Sequence, residues 1–249
     1  MAHDIRSITQ VGTSEPFELQ VSRDQIPGHY RLHKFGFNNA INTSEETIWD
    51  AGGTYAYATS GENLLVSSTA GASDSGVEIT LQGLDVDYNQ IEEVFTLGSG
   101  TYTTTNSFFR SYRAFVSGSQ ALTGTLTARG TGAVIRCQIL AEEQQTLMCV
   151  WTVPAGYTAY LVKKDLTCLT ETNNKFGITR LLSRNSGGVF RTQDKHSVEN
   201  GPITLNYPTP LVFIEKTDIE VRAKSSSTSA NLNVSASLDF VYIKNQGAL

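Results

Sequence analysis

From Phe17 onward the chain repeats one pattern: short segments in which every second residue is apolar or aromatic, separated by Gly, Ser, Asn and Asp. Phe17–Val21 alternates strictly; Val77–Leu81, Phe109–Phe115 and Leu122–Thr127 read as further strands of this kind, and Val134–Leu140 adds another run. Tyr55 and Tyr57 alternate ahead of the turn residues Ser60–Asn63, and Leu65–Val66 follows. A period of two turns one face of each segment toward a core and the other toward water, the signature of antiparallel strands. Glu142–Gln145 is the one stretch that predicts a helical turn, and it is too short to stand alone.

The second half continues in the same way. Trp151–Leu161 bends at Pro154-Ala155-Gly156, and Phe176–Leu182, Val189–Thr192 and Asp218–Ala223 follow. Leu232–Tyr242 closes the series with an apolar residue at every second position. Strands spaced about 8–12 residues apart, with no helices between them, predict an all-β fold of antiparallel sheets, a β-sandwich or jelly roll. The expected division is two sandwich-like domains, 17–141 and 142–249, preceded by an extended N-terminal arm over 1–16, where no periodicity is present.

Composition agrees with this picture. A chain of 249 residues suffices for one large sandwich or two smaller ones. With 39% apolar residues, 17% charged residues and 21 Gly, much of the remainder is Ser, Thr and Asn, which suits strands and turns. A net charge of −5, with 19 Lys and Arg that form no cluster, argues against a nucleic-acid partner. No apolar run approaches the length of a membrane span, and the start of the chain has no apolar signal core. The expectation is a protein made in a reducing cytoplasm, with Cys137, Cys149 and Cys168 as buried free thiols.

Each candidate site departs from its pattern. Asp85-Val86-Asp87-Tyr88-Asn89 matches the opening of a calcium loop, but Gln90 and Thr96 stand where the loop needs Gly and a bidentate Glu, so a hairpin turn is expected. His29 and His33 lie in strand-like sequence, where four residues separate side chains by roughly 13 Å, too far for one metal. His3 and His196 do not stand in a metal-ligand spacing. Ser186, in Asn185-Ser186-Gly187-Gly188, lacks marked His and Asp partners, and its glycines predict a hairpin loop. Cys149 sits among apolar residues beside Met148 and Trp151 and reads as a packed thiol. Asn42-Thr43-Ser44 and Asn233-Val234-Ser235 fit the glycosylation acceptor pattern without a secretory signal. Tyr55, Tyr57, Tyr102 and Tyr112 could stack on sugar rings, though alternating aromatics are more often core. No residue is assigned a catalytic, cofactor-binding or metal-binding role, and no cofactor is expected.

Whole phrases of the sequence carry a further signal. HYRLHKFGFN from His29, IWDAGGTY from Ile48, LQGLD from Leu81, QTLM from Gln145 with WTVPAGYTAYL from Trp151, GGVFRT from Gly187 and EKTDI from Glu215 resemble virion structural proteins of tailed bacteriophages, notably those of marine bacteria and cyanobacteria. The resemblance spans roughly 17–243, and the arm is longer than in those relatives. It implies a non-enzymatic virion protein, assembled in the host cytoplasm, and brings no catalytic or binding residues with it. The expected role is a capsid decoration or cement protein. Its expected partners are the major capsid protein, other virion proteins and further copies of itself in a homo-oligomer, with no nucleic acid and no membrane. A tail adaptor, collar or baseplate component, or a receptor- or glycan-binding module, are the alternatives. An enzyme is the weakest reading.

Overall fold

The computed structural model describes residues 15–170, 175–227 and 231–245. The expected N-terminal arm falls, up to residue 14, outside the described residues. A short helix, α1 (Phe17–Ser22), comes first. The strands β1 (His29–Ile41) and β2 (Glu46–Thr47) follow. The middle of the chain supplies β3 (Leu65–Ser68), β4 (Glu78–Leu84), β5 (Gln90–Thr96), β6 (Tyr102–Thr103), β7 (Arg110–Val116), β8 (Leu126–Arg129) and β9 (Ile135–Ile139). The last stretch forms β10 (Val150–Thr152), β11 (Tyr157–Leu169), β12 (Phe176–Asn185), β13 (Arg191–Glu199), β14 (Gly201–Phe213), β15 (Thr217–Ser225) and β16 (Leu232–Lys244). The fold is all-β, with 56% of residues in strands and antiparallel sheets throughout.

Two bodies share the strands. In the first, one sheet has the order β1-β16-β11-β14 and the other β10-β15-β12-β13, with β2 added on β15. Counting β1 as first and β10 to β16 as second to eighth, the orders become 1-8-3-6 and 2-7-4-5. That is the double-sheet arrangement of a jelly roll, which leaves few sheet edges to protect. Its core lies between the sheets and shows the expected alternation most clearly on β16. Leu232, Val234, Ala236, Leu238 and Phe240 point inward, while Asn233, Ser235, Ser237 and Asp239 alternate with them. The open edge β14 carries Pro202, Pro208 and Pro210, which have no N–H to offer a further strand.

The second body is an insertion between β1 and β10 of the jelly roll. Its sheets, β6-β3-β8-β9 and β5-β4-β7, enclose a separate core that includes Leu64, Ile79, Phe108 and Leu126. The insertion begins and ends at one point, where Trp49 bridges Met148. The expected division at residue 142 therefore lies close to where the chain leaves the insertion. The expected 17–141 unit, however, includes β1 and β2, and these pair with β16 and β15 of the jelly roll. Sequence periodicity marks strands, not their partners, so this long-range return of the chain was not readable from it.

Other expectations change locally. Phe17–Val21 is helical, not a strand: the amides of Leu19 and Gln20 both donate to the Pro16 carbonyl, and the segment packs beside β1 without joining its sheet. Of its apolar residues only Val21 is buried, while Phe17 and Leu19 stay exposed. Glu142–Gln145 is a turn rather than a helical one, because Glu142 and Gln144 have φ of 75° and 59°. The Gln144 amide group accepts from Leu122 N at 2.8 Å and donates to Leu122 O at 3.0 Å, fixing that conformation. Tyr55 and Tyr57 lie on an irregular segment instead of a strand.

β1 passes so close to the crossing chain that Gly36 has no room for a side chain. A Cβ there would lie 2.3 Å from Ile48 O and 2.4 Å from Cys149 N, both backbone atoms. Gly36→Ala is expected to lower stability by about 1–3 kcal/mol or more through overpacking, read as a lower urea midpoint with an unchanged m-value. A midpoint equal to that of the native chain would show that the crossing has slack.

Candidate functional site

The densest polar chemistry lies on the outer face of β15, between the two bodies. Strand residues Ile219, Val221 and Ala223 point into the jelly-roll core, so Asp218, Glu220 and Arg222 point the other way. On an ordinary half-wetted strand they would meet water. Here Asp218 and Glu220 are buried, at 1% and 0% exposure, because the insertion and the loops leading into it cover that face.

Asp218 is held from three sides. Arg110 of β7 grips it in a fork, Nε to Oδ1 at 2.8 Å and Nη2 to Oδ2 at 3.1 Å. Arg184 of β12 donates to Oδ2 from Nη2 at 2.6 Å, and the Thr152 hydroxyl donates to Oδ1 at 2.7 Å. Arg110 also donates to Ala58 O at 3.0 Å. Beside it, Glu220 accepts from the Thr47 hydroxyl at 2.8 Å and pairs with Arg222.

Aromatic rings separate the guanidinium groups of this cluster. Arg110 and Arg184 lie 5.1 and 4.7 Å from the Tyr57 ring centre, and Arg184 and Arg222 lie 4.5 and 5.1 Å from that of Phe190. The sequence Arg110, Tyr57, Arg184, Phe190, Arg222 thus alternates cation and ring across both bodies. Burial drives the Tyr57 hydroxyl well above its usual pKa, and the hydroxyl makes no hydrogen bond.

A second contact between the bodies centres on Lys34 of β1, which donates to Tyr112 O of β7. Burial lowers its pKa to about 8. Burial likewise raises Asp50 to about 7, although Leu147 N donates to Oδ2 at 3.2 Å, and Oδ1 has no partner.

The residues singled out in sequence are scattered rather than gathered here. Asp85 accepts from Asp87 N and Asn89 N at 2.9 and 2.8 Å, closing the β4–β5 hairpin. Among the described residues, no group of three His, Cys, Asp or Glu could hold a metal. His29 and His33 both lie on β1, and His33 pairs with Asp239 at 2.7 Å. His196 is 3.8 Å from Asp194, and His3 lies outside the described residues. Ser186 sits in the β12–β13 hairpin, where Gly187 has φ 74°, and it accepts from the Tyr88 hydroxyl at 3.1 Å. Cys137, Cys149 and Cys168 are free and buried, and burial pushes the first two thiols up to about 12. Tyr55 is core, Tyr57 is in the cation–ring stack and Tyr102 lies flat on Phe95 at 4.2 Å. Tyr112, half-buried, is the member of that set that opens on a groove. No helix among the described residues is long and apolar enough to cross a membrane.

The buried ionic residues went unmarked in sequence because alternation assigns them to a wet face. Thr217–Ser225 does carry a hint: Asp218, Glu220 and Arg222 stand at successive outward positions of one short strand, an unusually charged face.

No family model matches the chain, and no curated protein matches its sequence. Among solved structures, the VP2 subviral particle of infectious bursal disease virus is similar at 10% identity and TM-score 0.23, over 88% of this chain and 73% of that one. The Gt strain of the same virus gives 12% identity and TM-score 0.24, over 94% and 78%. Values at this level identify no shared fold.

Two predictions follow from the junction. Asp218→Asn leaves the Arg110 and Arg184 guanidinium groups buried without their anion and is expected to cost about 3–5 kcal/mol, measured by urea unfolding. Adding Arg110→Met should recover part of that loss; strict additivity of the two single costs would contradict the coupling. The second concerns Asp50, whose pKa is raised on folding. Its favourable contribution is complete below the unfolded value of 3.8 and is lost as pH climbs through about 7. Asp50→Asn, which mimics the neutral acid, should therefore gain stability over the native chain as pH rises, by ~1.4 kcal/mol per unit of displaced pKa. A gap independent of pH in thermal scans would contradict this.

Proposed function

We propose that this chain is a non-enzymatic structural protein of a tailed-bacteriophage particle, a capsid decoration or cement protein that docks on the head lattice as a homo-oligomer. The observation that carries this reading is the strand order of the first body, since double-sheet jelly rolls are a recurrent architecture of viral capsid and lectin domains. The phrases that resemble virion proteins support it by their positions. They contain Lys34, Asp50, Thr152, Phe190 and Asp218, which lie at the junction of the two bodies, rather than a set of reactive groups. A protein that stabilises a shell gains from such stiffness, because binding restrained surfaces loses less conformational entropy. Attachment would stabilise the particle by mass action, through interface that only the assembled lattice offers.

The expected partners are the major capsid protein and further copies of the chain. Gel densitometry of purified particles is expected to give a copy number approaching that of the major capsid protein. A ratio fitting a single small ring would overturn the decoration role and favour a tail adaptor, collar or baseplate position.

A further inference from the structure

The two bodies do not close completely against each other. Where β1 and β16 of the jelly roll face the β5-β4-β7 sheet, two hollows of about 290 and 270 Å³ share Leu32, Gln82 and Tyr112 in their walls. They form one groove along the body junction. Its floor at one end is Trp151, nearly fully buried, with Tyr112 and Tyr242 beside it. The Tyr242 ring is fixed by edge contacts with Trp151 at 5.6 Å and Tyr157 at 5.5 Å and by Tyr30, stacked on one face at 5.2 Å, so its orientation is preset.

The opposite wall carries Gln82, Gln90 and Glu92. Gln82 Nε2 donates to Glu92 Oε2 at 2.7 Å, which orients both groups, and Gln90 lies within hydrogen-bonding reach of Tyr242. Two amides and a carboxylate facing aromatic rings provide donors and acceptors at fixed spacing, together with apolar ring surface. Charge at the other end is already engaged: His33 pairs with Asp239, and the Arg113 guanidinium lies 4.5 Å from the Phe115 ring centre. Glu92 disfavours an anionic guest. Each hollow is at the small end of ligand-pocket volumes, about 300 Å³.

We propose that this groove binds a neutral saccharide, with ring faces against Tyr112 and Tyr242 and hydroxyls on Gln82, Gln90 and Glu92. The site belongs to the chain wherever the chain sits on a particle, and it does not depend on the decoration role.

The full chain is tested on an array of neutral di- and trisaccharides built from glucose, galactose, mannose and N-acetylglucosamine, with acidic glycans printed alongside. The strongest hit is then titrated by calorimetry. Binding to neutral glycans that falls about tenfold or more in Gln90→Ala and in Glu92→Ala supports the site; both residues are exposed, so these variants keep the fold. Tyr112→Phe, which removes only the hydroxyl, should retain ring stacking and lose less. No binding to any neutral glycan at high protein concentration overturns the proposal. So does binding confined to acidic glycans, or binding that Gln90→Ala and Glu92→Ala leave unchanged.

Discussion

The arrangement of the two bodies depends on a strand with no wet face. β15 gives one side to the jelly-roll core, and its other side, carrying Asp218, Glu220 and Arg222, is covered by the insertion. Removing a charge from water costs several kcal/mol per ion even after relaxation, so such a face is tolerable only when every charge is met. Arg110, arriving from β7 of the insertion, is the cation that the second body adds to Asp218 beside Arg184, and its fork fits the carboxylate only when the bodies are docked in one orientation. In any other docking Arg110 loses its anion, and Asp218 keeps only Arg184 and Thr152 from its own body. Orientation is thereby specified more sharply than apolar contact alone could specify it.

The same economy appears inside the insertion, whose short strands leave long loops to be fixed. Asp74 accepts from Thr123 N, Gly124 N and the Thr123 hydroxyl at 2.8, 3.0 and 2.6 Å, holding two distant loops together. Glu93 accepts from Thr105 N and Asn106 N at 2.8 and 2.7 Å. Glu62 pairs with Arg136 at 2.8 Å and also takes Thr131 N at 3.2 Å. Buried carboxylates act here as clasps on backbone amides, the groups that loops leave unpaired. The groove between the bodies is then a by-product of rigid docking: two stiff surfaces fixed at one edge do not meet everywhere.

Many strands were legible in sequence, because β15 and β16 alternate cleanly and β4 does so over its first residues, each with an apolar face. The hairpin turns at Asp85–Asn89 and Gly187–Gly188 were legible for the same local reason. Phe17–Val21 misled, since three alternating apolar residues fit a strand and a single helical turn equally well, and Pro16 decides between them. The pairing of β1 with β16, about two hundred positions away in the chain, leaves no local mark. Nor does the fate of a polar face: Asp218 on β15 and Asp239 on β16 look alike in sequence, and only the docked insertion buries the first. The candidate groove was legible only in Tyr112, because its other wall comes from a different sheet.

If the buried Arg110–Asp218 contact makes one rigid unit of the two bodies, they should not open separately. Native-state hydrogen exchange across increasing denaturant tests this, comparing amides of β4 in the insertion with amides of β16 in the jelly roll. The account predicts that both sets converge on one opening free energy and one denaturant dependence. An insertion that opens at clearly lower free energy, while β16 stays protected, would contradict it.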